Sequence, residues 1–299
     1  MRSPSIWRWS ILFACCIAPM ASRADSRREL WNNPTTPFAV IGNIYYVGTA
    51  GLAAYLITTP QGHVLLDGCL PESAEQIKRN ITALGFELRD IKYLLNSHAH
   101  YDHSGGLAEL KAATGAKLIA SEGDKSALEG GFYLGSNTDH SLDAPPVKVD
   151  RVIQDRAQVS LGGTTLTANA TPGHTRGCTS WSMPVQAAGT TYQVLFFCSA
   201  TVAANRLVAP PQYPGIVSDY EHTFAKVRKL KVDVFLAPHP EFFHMREKRE
   251  RLGQSELNPF VDPGEFRLFI DRAEESFRKD LAQQRAAAKP TGSSSPPPR

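Results

Sequence analysis

The segment Asn96-Ser-His-Ala-His-Tyr-Asp-His-Ser-Gly-Gly106 puts four potential metal ligands, His98, His100, Asp102 and His103, within six residues. Imidazole and carboxylate are borderline-to-hard donors that suit zinc. Alternate side chains of an extended loop share a direction, so His98 and His100 point the same way, while the adjacent Asp102 and His103 can diverge towards a second site. Gly105 and Gly106 allow a tight backbone turn into a following helix. Two further histidines stand at turns: His174 in Thr171-Pro-Gly-His-Thr175 and His239 in Ala237-Pro-His-Pro240. Either alone reads as an ordinary structural histidine. Together the six side chains suffice for two metals with three protein ligands each. That count leaves each metal an open coordination position, the mark of a catalytic rather than a structural zinc.

Rigid elements must hold such loops in place. Strands are expected over Val40–Val47, Ala53–Thr59 and Gly62–Asp67, separated by Gly-containing turns. A helix follows over Pro71–Leu84, a strand over Ile91–Leu95, a helix over Gly105–Thr114 and a strand over Lys117–Ala120. The second half reads mainly as strands: Arg151–Ile153, Gln158–Leu161, Thr164–Ala168 and Gln193–Phe197. A helix over Ser218–Leu230, a strand over Val232–Ala237 and a long helix over Pro263–Ala288 close the chain. The four-ligand loop thus follows a strand, and so does His239. No internal repeat or linker divides the middle, which predicts one α/β domain over residues 25–288 with two β-rich halves.

The ends are different in kind. Arg2 and Arg8 precede the apolar run Ile11–Ala18, and Ser22-Arg-Ala24 fits a signal-peptide cleavage site before Asp25. Residues 1–24 are therefore expected to be a signal peptide and the mature chain periplasmic or secreted. The run is too short for a permanent span of about 20 residues, so no membrane anchor is expected. A lipid anchor at Cys15 would leave a very short apolar region. The segment carries three arginines and no acid, so its removal takes the formal charge from +3 to zero. No nucleic-acid or anionic-membrane partner is implied. The mature chain keeps Cys69, Cys178 and Cys198, consistent with one disulfide and one leftover thiol in an oxidising compartment. Residues 289–299, rich in Pro and Ser, read as a disordered tail.

His-Ala-His-Tyr-Asp-His with Gly-Gly, then Pro-Gly-His-Thr, then Pro-His-Pro, closely resembles the metallo-β-lactamase superfamily and, within it, subclass B3. The resemblance runs from about Trp31 to Phe269 and includes Asn43–Gly48, Leu65–Gly68, Thr179–Trp181 and Tyr213–Tyr220. It implies a four-layer αβ/βα sandwich: two mixed β-sheets packed face to face, helices outside, metals at one edge. It implies one Zn2+ on His98, His100 and His174 and a second on Asp102, His103 and His239. It also implies a hydroxide shared by the metals as nucleophile on a β-lactam carbonyl, with Asp102 orienting it or relaying its proton. The substrate would be a small β-lactam antibiotic and the protein a monomer.

Within that resemblance, Asp67 is expected to hold the metal loop by hydrogen bonds. Ser199 and Thr201 fall where subclass members contact water or the substrate carboxylate, or are ordinary strand-end hydroxyls. Glyoxalase II and quorum-signal lactonases carry a metal-bridging Asp after the strand that ends at Phe197. Here that stretch is Phe197-Cys-Ser-Ala-Thr201, without an acid. Cys198 would be a zinc ligand in other lactamase subclasses, but compartment and placement favour its pairing with Cys178. Arg176 departs from the more usual Pro. The loops over residues 131–145 and 206–214 are expected to set substrate preference. His63, His140, His222 and His244 match no motif. Rival readings are a lactone, thioester or phosphoester hydrolase on the same scaffold, or a non-catalytic zinc-binding protein.

Overall fold

The computed structural model describes residues 23–133 and 140–288. Nearly all of the expected signal segment, the Pro/Ser-rich tail and the centre of the 131–145 loop lie outside the described residues. The first sheet has seven strands in sequence order: β1 (Phe38–Ile41), β2 (Ile44–Tyr46), β3 (Tyr55–Thr59), β4 (Gly62–Leu66), β5 (Ile91–Leu95), β6 (Lys117–Ser121) and β7 (Arg151–Ile153). The first four pair antiparallel and β4 to β7 pair parallel. Parallel neighbours need crossovers. Here α2 (Ala74–Ala83) lies between β4 and β5, α3 (Tyr101–Ser104) and α4 (Leu107–Thr114) between β5 and β6, and α5 (Glu122–Gly130) between β6 and β7; α1 (Arg23–Trp31) precedes the sheet.

The second sheet holds β8 (Gln158–Leu161), β9 (Thr164–Ala170), β10 (Thr179–Ala187), β11 (Thr190–Phe196) and β12 (Val234–Leu236), in the order β12-β11-β10-β9-β8. β8 to β11 form an antiparallel meander, and β12 returns parallel to β11 after α6 (Ile216–Val227). Helices α7 (Met245–Arg251) and α8 (Glu265–Ala287) follow.

The two-residue period of a strand makes the layers. Ile57, Val64, Leu66, Leu95 and Ile119 face inward and share one core with Trp181, Met183, Val194 and Phe196 of the second sheet. Their neighbours Leu56, Leu65, Leu94 and Leu118 face outward, beneath Ile77 and Ile81 of α2 and Leu107 and Leu110 of α4. On the far side, Phe235 of β12 stacks against Phe266 and Phe269 of α8. The result is helix, sheet, sheet, helix, the expected αβ/βα sandwich.

Three expectations about elements need correction. Val40–Val47 is not one strand, because Gly42 at φ +53° turns the chain into a hairpin between β1 and β2. A Cβ on Gly42 would sit 2.4 Å from Val185 Cγ2, so bulk is excluded as well. Strand β10 was not expected, since Pro184 argues against a strand interior. It is tolerated because β10 pairs with β9 only as far as Ser182, beyond which a single neighbour remains. Helices α1, α3, α5 and α7 were also unforeseen; α3 puts Asp102 and His103 in a helical turn rather than an extended loop, and α5 starts Glu122-Gly-Asp, without strong apolar spacing.

Candidate metal centre

Strands β9, β11 and β12 run in one direction, as do β4, β5 and β6, and each ends beside the same edge of the sandwich. His98, His100, Asp102 and His103 follow β5, His174 follows β9, Ser199 and Thr201 follow β11, and His239 follows β12. Local backbone geometry then separates the ligands. His98 and His100 lie on the extended stretch, and His100 at φ −86°, ψ 145° leads into α3, whose first turn carries Asp102 and His103.

The ligand atoms of His98, His100 and His174 lie within 4.8 Å of one another, and those of Asp102, His103 and His239 form a second such group. His98 Nε2 and His174 Nε2 are 3.2 Å apart. His174 Nδ1 donates to the Thr201 carbonyl at 2.7 Å, which leaves the Nε2 lone pair facing the cluster. Burial pushes His98 and His100 well below the usual histidine range and His174 down to about 4, with mutual repulsion among the imidazoles adding to it. All three are therefore neutral at physiological pH, the form that binds metal.

In the second group, Asp102 Oδ2 lies 3.3 Å from His103 Nε2 and 3.5 Å from His239 Nε2. Burial alone would raise the Asp102 carboxyl, but the His103 charge and hydrogen bonds from both imidazoles outweigh it and hold it well below the carboxylate range. His100 Nε2, His103 Nδ1 and His239 Nδ1 are buried with no hydrogen-bond partner among the described residues. In His103 and His239 it is the other ring nitrogen, Nε2, that faces Asp102, so the two imidazoles and the carboxylate converge on one point. Three neutral imidazoles in the first group and an ionised carboxylate with converging ring nitrogens in the second fit divalent metal, and the nitrogen–oxygen donor set fits zinc.

Surrounding residues hold the ligand loops. Asp67 Oδ1 accepts from Ser97 N at 2.7 Å and Asn96 Nδ2 at 3.1 Å, so it grips the start of the four-ligand loop as expected. Ser199 and Thr201 hydroxyls are 3.2 Å apart, and Thr201 Oγ1 is 3.2 Å from His174 Nδ1. Cys178 and Cys198 are bonded, with Cα atoms 5.9 Å apart, and buried Cys69 is free. The bond withdraws Cys198 from metal ligation although both sulfurs lie beside His98. His63 and His244 stand apart from the cluster, paired with Thr59 N and Glu265 respectively.

Several contacts were missed from sequence. The Trp31 ring lies 5.4 Å from that of His239, and the Tyr133 ring 4.8 Å from that of His100. Asn205 Nδ2 donates to the His174 carbonyl at 2.8 Å. Asp124 accepts from both ligand-bearing loops. None belongs to a motif, and a lone aromatic, amide or acid outside one gives no signal of its own; only Tyr133 falls in a loop already singled out. Both expected specificity loops do reach the site: a cavity of about 320 Å³ runs from His174 past Phe132, Tyr133, Arg176 and Tyr213. The Arg176 guanidinium sits 5.5 Å from the Tyr213 ring centre.

Comparison with known proteins bears on this geometry. The family model of the metallo-beta-lactamase superfamily matches residues 51–239. BJP-1, a subclass B3 metallo-beta-lactamase of Bradyrhizobium japonicum, is similar in structure with a TM-score of 0.85 and 52% identity, over 87% of this chain and 99% of that one. The FEZ-1 metallo-beta-lactamase of Legionella gormanii gives a TM-score of 0.82 at 39% identity, over 87% and 98% of the two chains. A hydroxyacylglutathione hydrolase of Rhodospirillum rubrum is 34% identical over 107 residues, 36% of this chain and only 34% of its own length.

Proposed function

This chain belongs to the metallo-β-lactamase superfamily of metal-dependent hydrolases, and from that premise we infer that it is a β-lactamase of the B3 type using two zinc ions. The observation that carries the reading is the composition of the two ligand groups. They contain one carboxylate, that of Asp102, and no thiolate, because Cys198 is held in the disulfide. The stretch after β11 brings no acid to the metals, where the resemblance gives thioester and lactone hydrolases a bridging Asp. Likeness to B3 enzymes over almost their whole length supports the same reading.

Zinc, when bound, lowers the pKa of a coordinated water to about 7 and polarises a carbonyl oxygen. The rest belongs to the chain. His98, His100 and His174 would hold one ion, and Asp102, His103 and His239 the other. Asp102 is buried and ionised, so its carboxylate can accept a hydrogen bond from the attacking water and orient it. The Ser199 and Thr201 hydroxyls, 3.2 Å apart, would bond the substrate carboxylate. Phe132, Tyr133 and Tyr213 would exclude water beside the lactam side chain, with the Arg176 cation at that rim. Removal of residues 1–24 and export to the periplasm fit the disulfide.

The test is hydrolysis of a penicillin, a cephalosporin and a carbapenem by the chain from Asp25, with and without a chelator. Turnover that vanishes on chelation and returns with zinc is expected. A sample holding about two zincs per chain but inert on all three would transfer the reading to acylglutathione thioesters, which the hydroxyacylglutathione hydrolase likeness favours, and then to lactones.

A further inference from the structure

We propose that Asp124 is a positioning residue that fastens the two loops bearing His98, His100 and His174 to each other, and so sets the geometry of the first metal group. The inference rests on the assignment of those histidines as ligands.

Asp124 stands in the first turn of α5, directly after β6, and is 1% exposed. Its Oδ2 accepts from Ala99 N at 3.0 Å and from Thr175 Oγ1 at 2.9 Å. Its Oδ1 accepts from Gly177 N at 2.9 Å. Ala99 lies between His98 and His100, and Thr175 follows His174. One carboxyl group therefore joins two chain segments whose direct backbone link is Thr179 N to the Ser97 carbonyl at 2.8 Å, on the far side of His98 from Ala99. All three partners are donors, and no cation lies among them. Burial raises the carboxyl pKa to about 6, while the hydrogen bonds from Thr175, Ala99 and Gly177 pull against it. Burying a carboxylate without a counter-ion is costly unless hydrogen bonds replace the lost water.

The backbone around the group is fitted to the same junction. A Cβ on Gly177 would fall 2.4 Å from Asp124 N, and one on Gly123 would fall 2.7 Å from Gly177 N. Side chains at either position would push α5 away from the His174 loop. Two glycines thus allow the approach and three donors use it. An amide cannot replace the carboxylate, since one of its two ends is a donor facing donors.

The experiment measures zinc affinity by competition with a chromophoric chelator, on the full folded protein, for the parent, D124N and T175V. In D124N one zinc is expected to bind ~10–100-fold more weakly, the range for residues that orient metal ligands, with the other unchanged. The visible spectrum of the Co2+-substituted protein is expected to change with it. T175V keeps the carboxylate and two of its donors, so a smaller loss in the same direction is expected. A role in folding alone would lower Tm in both variants and leave zinc affinity within twofold of the parent, and that result overturns the proposal. If D124N does not fold, T175V decides by the same criterion. Because the readout is metal binding, it stands apart from whether the substrate is a lactam.

Discussion

The two ligand groups are built on different principles. The first consists of three neutral imidazoles, two of them with their second nitrogen hydrogen-bonded: His174 Nδ1 to the Thr201 carbonyl and His98 Nδ1 to Ser97 Oγ at 3.0 Å. Asp67 and Asp124 grip the loops behind them. The second group carries the only carboxylate, and its imidazoles leave His103 Nδ1 and His239 Nδ1 without partners among the described residues. The first group is therefore preorganised by hydrogen bonds to the scaffold, and the second by the charge of Asp102. Preorganisation through outer hydrogen bonds orients ligands before metal arrives, whereas a buried charge attracts the ion but fixes its ligands less well.

The largest effect that would test this contrast is His174→Ala. Turnover should fall to background and zinc content from two per chain to one, with the far-ultraviolet circular dichroism unchanged. Activity within a few-fold of the parent would refute the first group as a metal site. Next in size is Asp67→Ala, which releases Ser97 and Asn96 and should weaken zinc binding ~10–100-fold; unchanged affinity would show that the loop needs no grip on that side. A graded chelator titration sharpens the comparison further. The second group should lose its metal first, leaving a one-zinc species visible by native mass spectrometry, and loss of both ions together would erase the distinction.

The smallest effect on chemistry is expected from Cys178→Ser. The bond closes a loop of sequence separation 20, for which chain entropy gives about 3 kcal/mol. Tm should drop by several degrees while zinc content and turnover stay near the parent. A Tm equal to the parent's would mean that the bond adds nothing to stability, and a loss of zinc would mean that it also supports His98.

Much of the centre was legible in the sequence because its chemistry is local. His98, His100, Asp102 and His103 stand within six residues, and the resemblance supplied their division between two groups, which the extended stretch and the first turn of α3 separate. His174 and His239 stand in turn motifs whose type is visible without a partner. The layered sandwich came from the family resemblance; the unbroken apolar run Val64-Leu-Leu66 shows only that both faces of β4 are covered, and the packing puts Leu65 and Leu66 in different cores. β10 was not legible, since Pro184 is permitted only by where the neighbouring strand stops. The contacts of Asp124, Trp31, Tyr133 and Asn205 were not, since each reaches the centre across tens of residues and belongs to no motif. The sequence by itself determined which side chains can bind metal and which strands can carry them. The tertiary structure alone decided which hydrogen bonds hold those side chains still, because such bonds join loops that only the packing of two sheets brings together.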